Sequence, residues 1–331
     1  MTGTRSGVRS GGARPPGVRR KVDGLLLLDK PSGVTSNAAL QKLKWLYAAR
    51  KAGHTGSLDP LASGMLPLCF GEATKFSQYL LGADKTYLVR ARFGARTDTA
   101  DSDGTVVEST EVRIPDEATL RRAVQHLTGS IAQVPPMYSA LKHQGQRLYE
   151  LARAGREVER PARPVVIYSF EIEHFDPVAP VFRVRCSKGT YIRVLIEDVA
   201  KEIGSLAHVI ELRRTSVGGF EEAAMLTVEQ CMVAADEGTK ALDALLLPLD
   251  EVAGQWPLVR LQTEEARLLL RGSQIAAPNG QSTGMVRLYT EGGSFFGMGE
   301  VMTDGRLLPR RLLAHGSAAR DGDLSLTQLS L

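Results

Sequence analysis

Residues 85–93, KTYLVRARF, alternate with a period of two, placing Tyr87, Val89, Ala91 and Phe93 on one side. A segment with that period cannot settle as a helix. It forms a strand with one buried and one wet face, the pattern of an antiparallel sheet rather than of βαβ units. Lys85, Arg90 and Arg92 mark its polar side in this reading. GLLLLDK (24–30) is a continuous apolar run closed by a KPSG turn, and reads as a buried strand. VVIYSFEIEHF (165–175), VFRVRC (181–186) and HVIELRRTSVG (208–218) add strands. Between them lie helical stretches: one capped by Ser36 with Leu40, Leu43 and Leu46 in phase, then 72–82, 115–128, 146–154 and 190–204, the last capped by Thr190. The fold class expected is therefore α+β with mainly antiparallel strands. No internal repeat is present. From about residue 255 the pattern changes to one short helix (264–271) and glycine-bounded strands such as MVRLYT (285–290) and FFGMGEVM (295–302). That is a small, mostly β module, joined through 238–257 with Pro248 and Pro257.

Charge separates the tail from the rest. The net charge of the 331 residues is +4. Residues 1–23 hold six cations (Arg5, Arg9, Arg14, Arg19, Arg20, Lys21) against Asp23, or +5, so the remaining 308 sum to −1. A basic overall balance is thus no argument that the folded part binds nucleic acid; local clusters must carry that argument. Residues 1–22 are Gly, Arg, Ser and Pro with little to bury, and are expected to form a disordered tail. They contain no apolar core of a secretory signal. No run approaches the roughly 20 apolar residues of a membrane span. Cys69, Cys186 and Cys231 stand apart without metal-binding spacing, which predicts reduced structural thiols, a cytoplasmic setting and no metal. DTADSDG (98–104) imitates a calcium loop, but Thr99 and Thr110 would occupy its first and last ligand positions.

Four segments could carry chemistry. In GHTGSLDP (53–60), Gly53, Gly56 and then Gly64 let backbone approach a ligand, and Pro60 biases Asp59 towards extended geometry. Taken alone, the Asp-Pro pair is equally a plain turn. CSKGTYIRVLIEDVA (186–200) puts Tyr191 and Arg193 in the first turn of a helix; with Arg183, Arg185 and Lys188 they form a basic cluster, fit for a carboxylate, for phosphate or for solvent alone. Tyr87 is a core residue or an aromatic platform. The stretch 133–163 interleaves Lys142, Arg147, Arg153, Arg156, Arg160 and Arg163 with His143 and Tyr149, which suits an RNA contact or an ordinary exposed helix.

Six segments, in order, resemble the bacterial tRNA pseudouridine-55 synthases of the TruB family: GLLLLDKPSGVTSN (24–37), GHTGSLDPLASGMLPLCFGEATK (53–75), KTYLVRARFGARTDTADSDG (85–104), QVPPMYSALK (133–142), CSKGTYIRVLIEDVA (186–200) and HVIELRRTSVGGF (208–220). GMGEVMTDGRLLPRRLL (297–313) looks like the end of a PUA-type RNA-binding domain. Ser63 departs from the usual Thr. The resemblance implies a pseudouridine synthase fold around a mixed sheet in 23–250, with an RNA-binding thumb about 133–163, and a PUA-like domain in 255–331. It implies an isomerase that flips a T-loop uridine out of tRNA, with no cofactor. Asp59 is then the catalytic carboxylate, Arg193 its partner, and Tyr87 a platform with a part in late proton transfer. His54, Tyr191, Leu212, Lys30 and Lys188 complete the expected substrate contacts. A cytoplasmic monomer acting on tRNA without an obligatory protein partner or membrane is expected. The related guide-RNA-dependent synthases are the nearest alternative, and the long 104–163 region favours the stand-alone type.

Overall fold

The computed structural model describes residues 19–111 and 116–313. The chain opens with β1 (Gly24–Lys30), α1 (Ser36–Leu46), β2 (Ala52–His54), β3 (Ser63–Phe70), a 3-10 turn (Gly71–Lys75), α2 (Ser77–Gly82) and β4 (Lys85–Phe93). A hairpin of β5 (Ala95–Thr97) and β6 (Val106–Ser109) precedes α3 (Glu117–His126) and β7 (Gly129–Gln133). A second hairpin, β8 (Lys142–His143) and β9 (Gln146–Arg147), leads into α4 (Leu148–Arg153). Next come β10 (Arg163–His174), β11 (Val181–Cys186), α5 (Ile192–Glu202), β12 (Ala207–Val217), α6 (Val228–Glu237) and α7 (Thr239–Ala244). The C-terminal part holds β13 (Leu258–Leu261), α8 (Thr263–Leu270), β14 (Ile275–Ala276), β15 (Gly284–Thr290), β16 (Phe295–Val301) and β17 (Arg306–Leu312).

The large sheet runs β1-β3-β12-β4-β11-β10-β7, with β2 attached to β3. Neighbours pair antiparallel except β3 and β12, which pair parallel through Gly64 and Arg214. The mixed, mainly antiparallel sheet is the one expected. Its main apolar side is covered by α1, α3, α5 and α6, around Leu43, Leu68, Val89, Phe182, Leu195 and Val199. β4 follows its period, with Val89, Ala91 and Phe93 buried. Lys85 has the phase of these residues and not of Arg90. It is buried, and its ammonium donates to the carbonyls of Leu80, Leu81 and Ala83.

β3 is the element the sequence hid. Left unassigned by the sequence reading, it is a strand buried from Gly64 to Phe70. Its Pro67 falls between the stretch paired with β12 (Ser63–Gly64) and the stretch paired with β2 (Leu68–Phe70). A missing N–H is tolerated in a sheet where a ladder is interrupted. Two helix starts also differ from expectation. Thr35, not Ser36, caps α1 by accepting from Ala38 N. Tyr191, not Thr190, is the cap residue of α5, and the Thr190 hydroxyl donates to Ser187 O.

The expected junction 238–257 is mostly structured, by α7 and a 3-10 turn at Leu249–Ala253. The second sheet, β13-β15-β16-β17-β14, is not tethered loosely. Phe295, Met298 and Leu313 from it share one buried cluster with Leu25, Leu27, Phe76 and Leu80. Trp256 meets Tyr79 edge-on at 4.9 Å, and Phe76 meets Phe295 at 5.4 Å. The expected tail is shorter than 1–22: Arg20 clamps Asp243 through two hydrogen bonds of 2.6 Å and donates to Tyr47 O. The rest of it, residues 1–18, lies outside the described residues, as does 314–331 of the C-terminal module.

Candidate active site

The loop between β2 and β3 carries Asp59, and its neighbours are held from the β1–α1 side. Leu58 donates to Ser36 Oγ at 2.8 Å while the same hydroxyl donates to Leu58 O. Pro60 O accepts from Gly33 N at 2.8 Å and from Lys30 Nζ, and Leu61 O from Ser32 Oγ. On the opposite side Arg214 Nη2 donates to Gly56 O at 3.0 Å. Gly64 serves backbone contact rather than a ligand: a Cβ there would collide with the Arg214 backbone, and its φ is +96°.

Arg193, on the first turn of α5, places Nε 2.9 Å from Asp59 Oδ2. Its terminal nitrogens do not double that contact. Nη1 donates to Thr99 O and Nη2 to Tyr138 O. A second carboxylate, Asp101 Oδ2, lies 3.6 Å from the same Nε. Asp101 is buried and fixed by Thr99 Oγ1 and Asp103 N. One guanidinium, itself buried, therefore faces two carboxylates and two carbonyls. Asp59 keeps 42% of its side-chain surface open to water, so it is the reachable member of the pair. Burial in the cleft nonetheless pushes its carboxyl above the ordinary range; Arg193 opposes this and Asp101 adds to it. The arginine alone therefore does not set the ionisation of this carboxyl.

Tyr87 stands on β4 directly opposite Arg214 on β12. Burial raises its hydroxyl above the usual phenol range, and Arg214 pulls it back. Tyr191 sits at the start of α5, its backbone tied reciprocally to the Gln133 amide. Its hydroxyl too is raised by burial. His54, half-buried, ends β2, and its buried Nδ1 has no hydrogen-bond partner among the described residues. Burial, helped by the Arg214 charge, holds the ring towards its neutral form. Leu212 lines a groove of about 250 Å³ together with Leu61, Ser63 and Arg213. Lys188 is exposed in the turn before α5. Lys30 departs from expectation. It is fully buried and donates to Pro31 O and Val34 O as well as Pro60 O, so it braces the loop rather than offering a surface charge. Burial lowers its ammonium to about 8.

The basic cluster around 183–193 also divides. Arg183 pairs with Glu173 and Arg185 with Asp84, acids from distant segments. In 133–163, the two-stranded β8–β9 sheet leads into α4, and Arg147 and Arg153 flank the Tyr149 ring at 5.8 and 5.6 Å. Sequence reasoning misses Asp101 and Arg214, and it reads Ser36 only as a helix cap. Arg214 has a signal: it shares the strand phase of Leu212, so a cation is due on the apolar side. Asp101 sits in the motif that fails as a calcium loop.

Residues 44–192 match the TruB family pseudouridylate synthase N-terminal domain. Residues 193–253 match the tRNA pseudouridylate synthase B C-terminal domain, and 257–313 the pseudouridine synthase II TruB C-terminal domain. The tRNA pseudouridine synthase B of Ectopseudomonas mendocina (strain ymp) is 52% identical over 301 residues, 91% of this chain and 98% of that protein. This chain belongs to the TruB family of pseudouridine synthases. The tRNA pseudouridine synthase B of Stutzerimonas stutzeri (strain A1501) is likewise 52% identical, over 89% of this chain and 97% of that protein. Among solved structures, a chain of a Cbf5-Nop10-Gar1 complex superposes with a TM-score of 0.68 at 24% identity, covering 95% of this TruB-family chain and 87% of its own. At that identity the likeness shows the shared fold. It covers both sheets, so the family fold expected from the motifs is the one observed.

Proposed function

We propose that this enzyme converts the uridine at position 55 in the T-loop of tRNA to pseudouridine, with Asp59 as its catalytic residue. The observation that carries the reading is the Asp59–Arg193 ion pair, its carboxylate on a loop held from both sides, in a chain of this family. The reaction must break a glycosidic bond, turn the uracil and form a carbon–carbon bond at its carbon 5. An ionised carboxylate serves either by attack on carbon 1′ of the ribose or by removing the carbon 2′ proton. A paired base is out of reach, so the nucleotide is extruded and packed on an aromatic face, here Tyr87. Tyr191 and Leu212 line the pocket, His54 supports the flipped nucleotide, and Lys188 meets RNA phosphate. Lys30 contributes by holding Pro60. The basic 133–163 segment and the PUA-like C-terminal sheet extend the RNA contact, and assistance to tRNA folding accompanies catalysis. The reaction invokes neither metal nor organic cofactor.

We further propose that it acts as a monomer in the cytoplasm, without guide RNA or protein partner. Among the described residues no helix is long and apolar enough to cross a membrane. The test is pseudouridine mapping on a bare tRNA transcript incubated with purified protein. Modification confined to position 55 is expected. Conversion that requires added guide RNA or protein would overturn the stand-alone reading, and no conversion under any condition would overturn the function.

A further inference from the structure

Arg214 is a buried cation whose role the site as described leaves open. It is 1% exposed, and no carboxylate lies within ion-pairing distance of it among the described residues. Such a group is costly to bury unless its donors are placed on acceptors. Two are accounted for: Nε donates to Met65 O at 2.7 Å and Nη2 to Gly56 O at 3.0 Å. These bonds aim the remaining edge. Nη1 borders the space beside Gly56, and the residue directly across the β12–β4 ladder from Arg214 is Tyr87. Gly56, with φ +80°, has no side chain to separate the guanidinium from the catalytic loop. Met65 and Gly56 bracket Asp59 in the chain, so the residue paired across the sheet with Tyr87 also fixes the Asp59 loop.

We propose that Arg214 is a positioning residue for the last proton transfer, holding the Tyr87 oxygen in place and stabilising it as an anion. This rests on the reading that Tyr87 takes part in that step. Once carbon 5 is joined to the ribose, it still bears its proton and the ring holds a double bond between N1 and carbon 6. Deprotonated Tyr87 takes the proton. The electrons of the broken carbon–hydrogen bond restore the carbon 5–carbon 6 double bond, and the displaced pair goes to N1, which takes a proton from water. The phenol then returns its proton to solvent. Charge is conserved, and no oxidant or co-reactant is needed. A fixed cation at the phenolate is worth most in such a water-poor site. The backbone bonds alone would make Arg214 a structural clip, and the test separates the two roles.

The experiment is single-turnover conversion of tRNA carrying deuterium at carbon 5 of the target uridine, followed across pH. Arg214→Gln should slow conversion by roughly 10²-fold, the scale of losing one preorganised donor. A primary isotope effect should appear because carbon 5 deprotonation becomes limiting. Without the cation the phenol loses its proton less readily, so the limb that rises with pH should move to higher pH. Arg214→Lys keeps the charge and should recover part of the rate with a smaller pH displacement. In a Tyr87→Phe background, Arg214→Gln should cost little more, because its target is gone. If Tyr87→Phe itself shows neither slowing nor an isotope effect, the Tyr87 reading fails first. If Tyr87→Phe shows both but Arg214→Gln and Arg214→Lys show no isotope effect and no pH displacement, Arg214 is only a clip and the proposal is overturned. Should Arg214→Gln not fold, Arg214→Lys with wild-type isotope and pH behaviour overturns it alone.

Discussion

Asp59 is pulled in two directions, by burial and Asp101 towards the neutral acid and by Arg193 towards the carboxylate. Either chemical route needs the carboxylate, so Asp59→Asn should abolish conversion while tRNA affinity changes by less than about tenfold, or 1.4 kcal/mol. Residual turnover by that variant would remove Asp59 from the centre of the reaction. Because the folded-state value is raised, the acid limb of the rate profile should lie above the usual carboxylate range near 4. Arg193→Lys should move it further up, since the hydrogen bond that helps keep Asp59 ionised is lost. Lysine also cannot hold Asp59, Thr99 O and Tyr138 O in one plane, so turnover should fall by roughly 10²-fold, the scale of a misplaced reacting group. Wild-type turnover with weakened tRNA binding would instead make Arg193 a phosphate contact. The pairing of Asp59 with Arg193 is legible in the sequence through the motifs on which they lie. The other partners of Arg193 are not, because backbone carbonyls carry no residue identity, and Thr99 and Tyr138 are remote in the chain.

Elements are legible where period and burial coincide. β4, and less strictly β10 and β11, stand out because alternation marks strands with one wet face. β3 does not, because it is apolar on both sides and so shows no alternation, and its Ser63-Gly64 start and Pro67 are loop signals in isolation. Its Gly64 gives a test of how tightly β3 and β12 approach. Gly64→Ala must relieve both a positive φ and a collision with the Arg214 backbone, so stability should drop by at least roughly 1–3 kcal/mol, the cost of one strained backbone. Urea unfolding at constant slope measures it. An unchanged midpoint would mean that β12 can move away from β3. Activity should suffer beyond what stability explains, because Arg214 would shift with its strand.

At the scale of the molecule, the apolar cluster shared by the two sheets argues against independent parts. Removing 258–313 would take Phe295, Met298 and Leu313 out of the cluster and leave Leu25, Leu27, Phe76 and Leu80 partly uncovered. The full chain should therefore unfold in one calorimetric transition; two resolved transitions would show that the interface contributes little. A junction rich in proline suggests a hinge, and nothing local in those residues shows that distant aromatic rings close over it. Deleting residues 2–18 should leave turnover at saturating tRNA unchanged and weaken binding only at low salt. Extending the deletion through Arg20 should lower the melting temperature, because Asp243 and Tyr47 O lose their clamp. Poor turnover at saturation after the shorter deletion would refute this division of the tail.

The bracing of the Asp59 loop has a consequence for the RNA. Leu58, Pro60 and Leu61 are each bonded to the β1–α1 segment, and Gly56 to β12, so the loop has little freedom left to surrender when substrate arrives. Most of the reorganisation before chemistry then belongs to the nucleic acid. The activation enthalpy should follow how firmly a T-loop stacks its uridine, and an isolated, loosely stacked stem–loop should react with a smaller temperature dependence than the same uridine locked inside a folded tRNA.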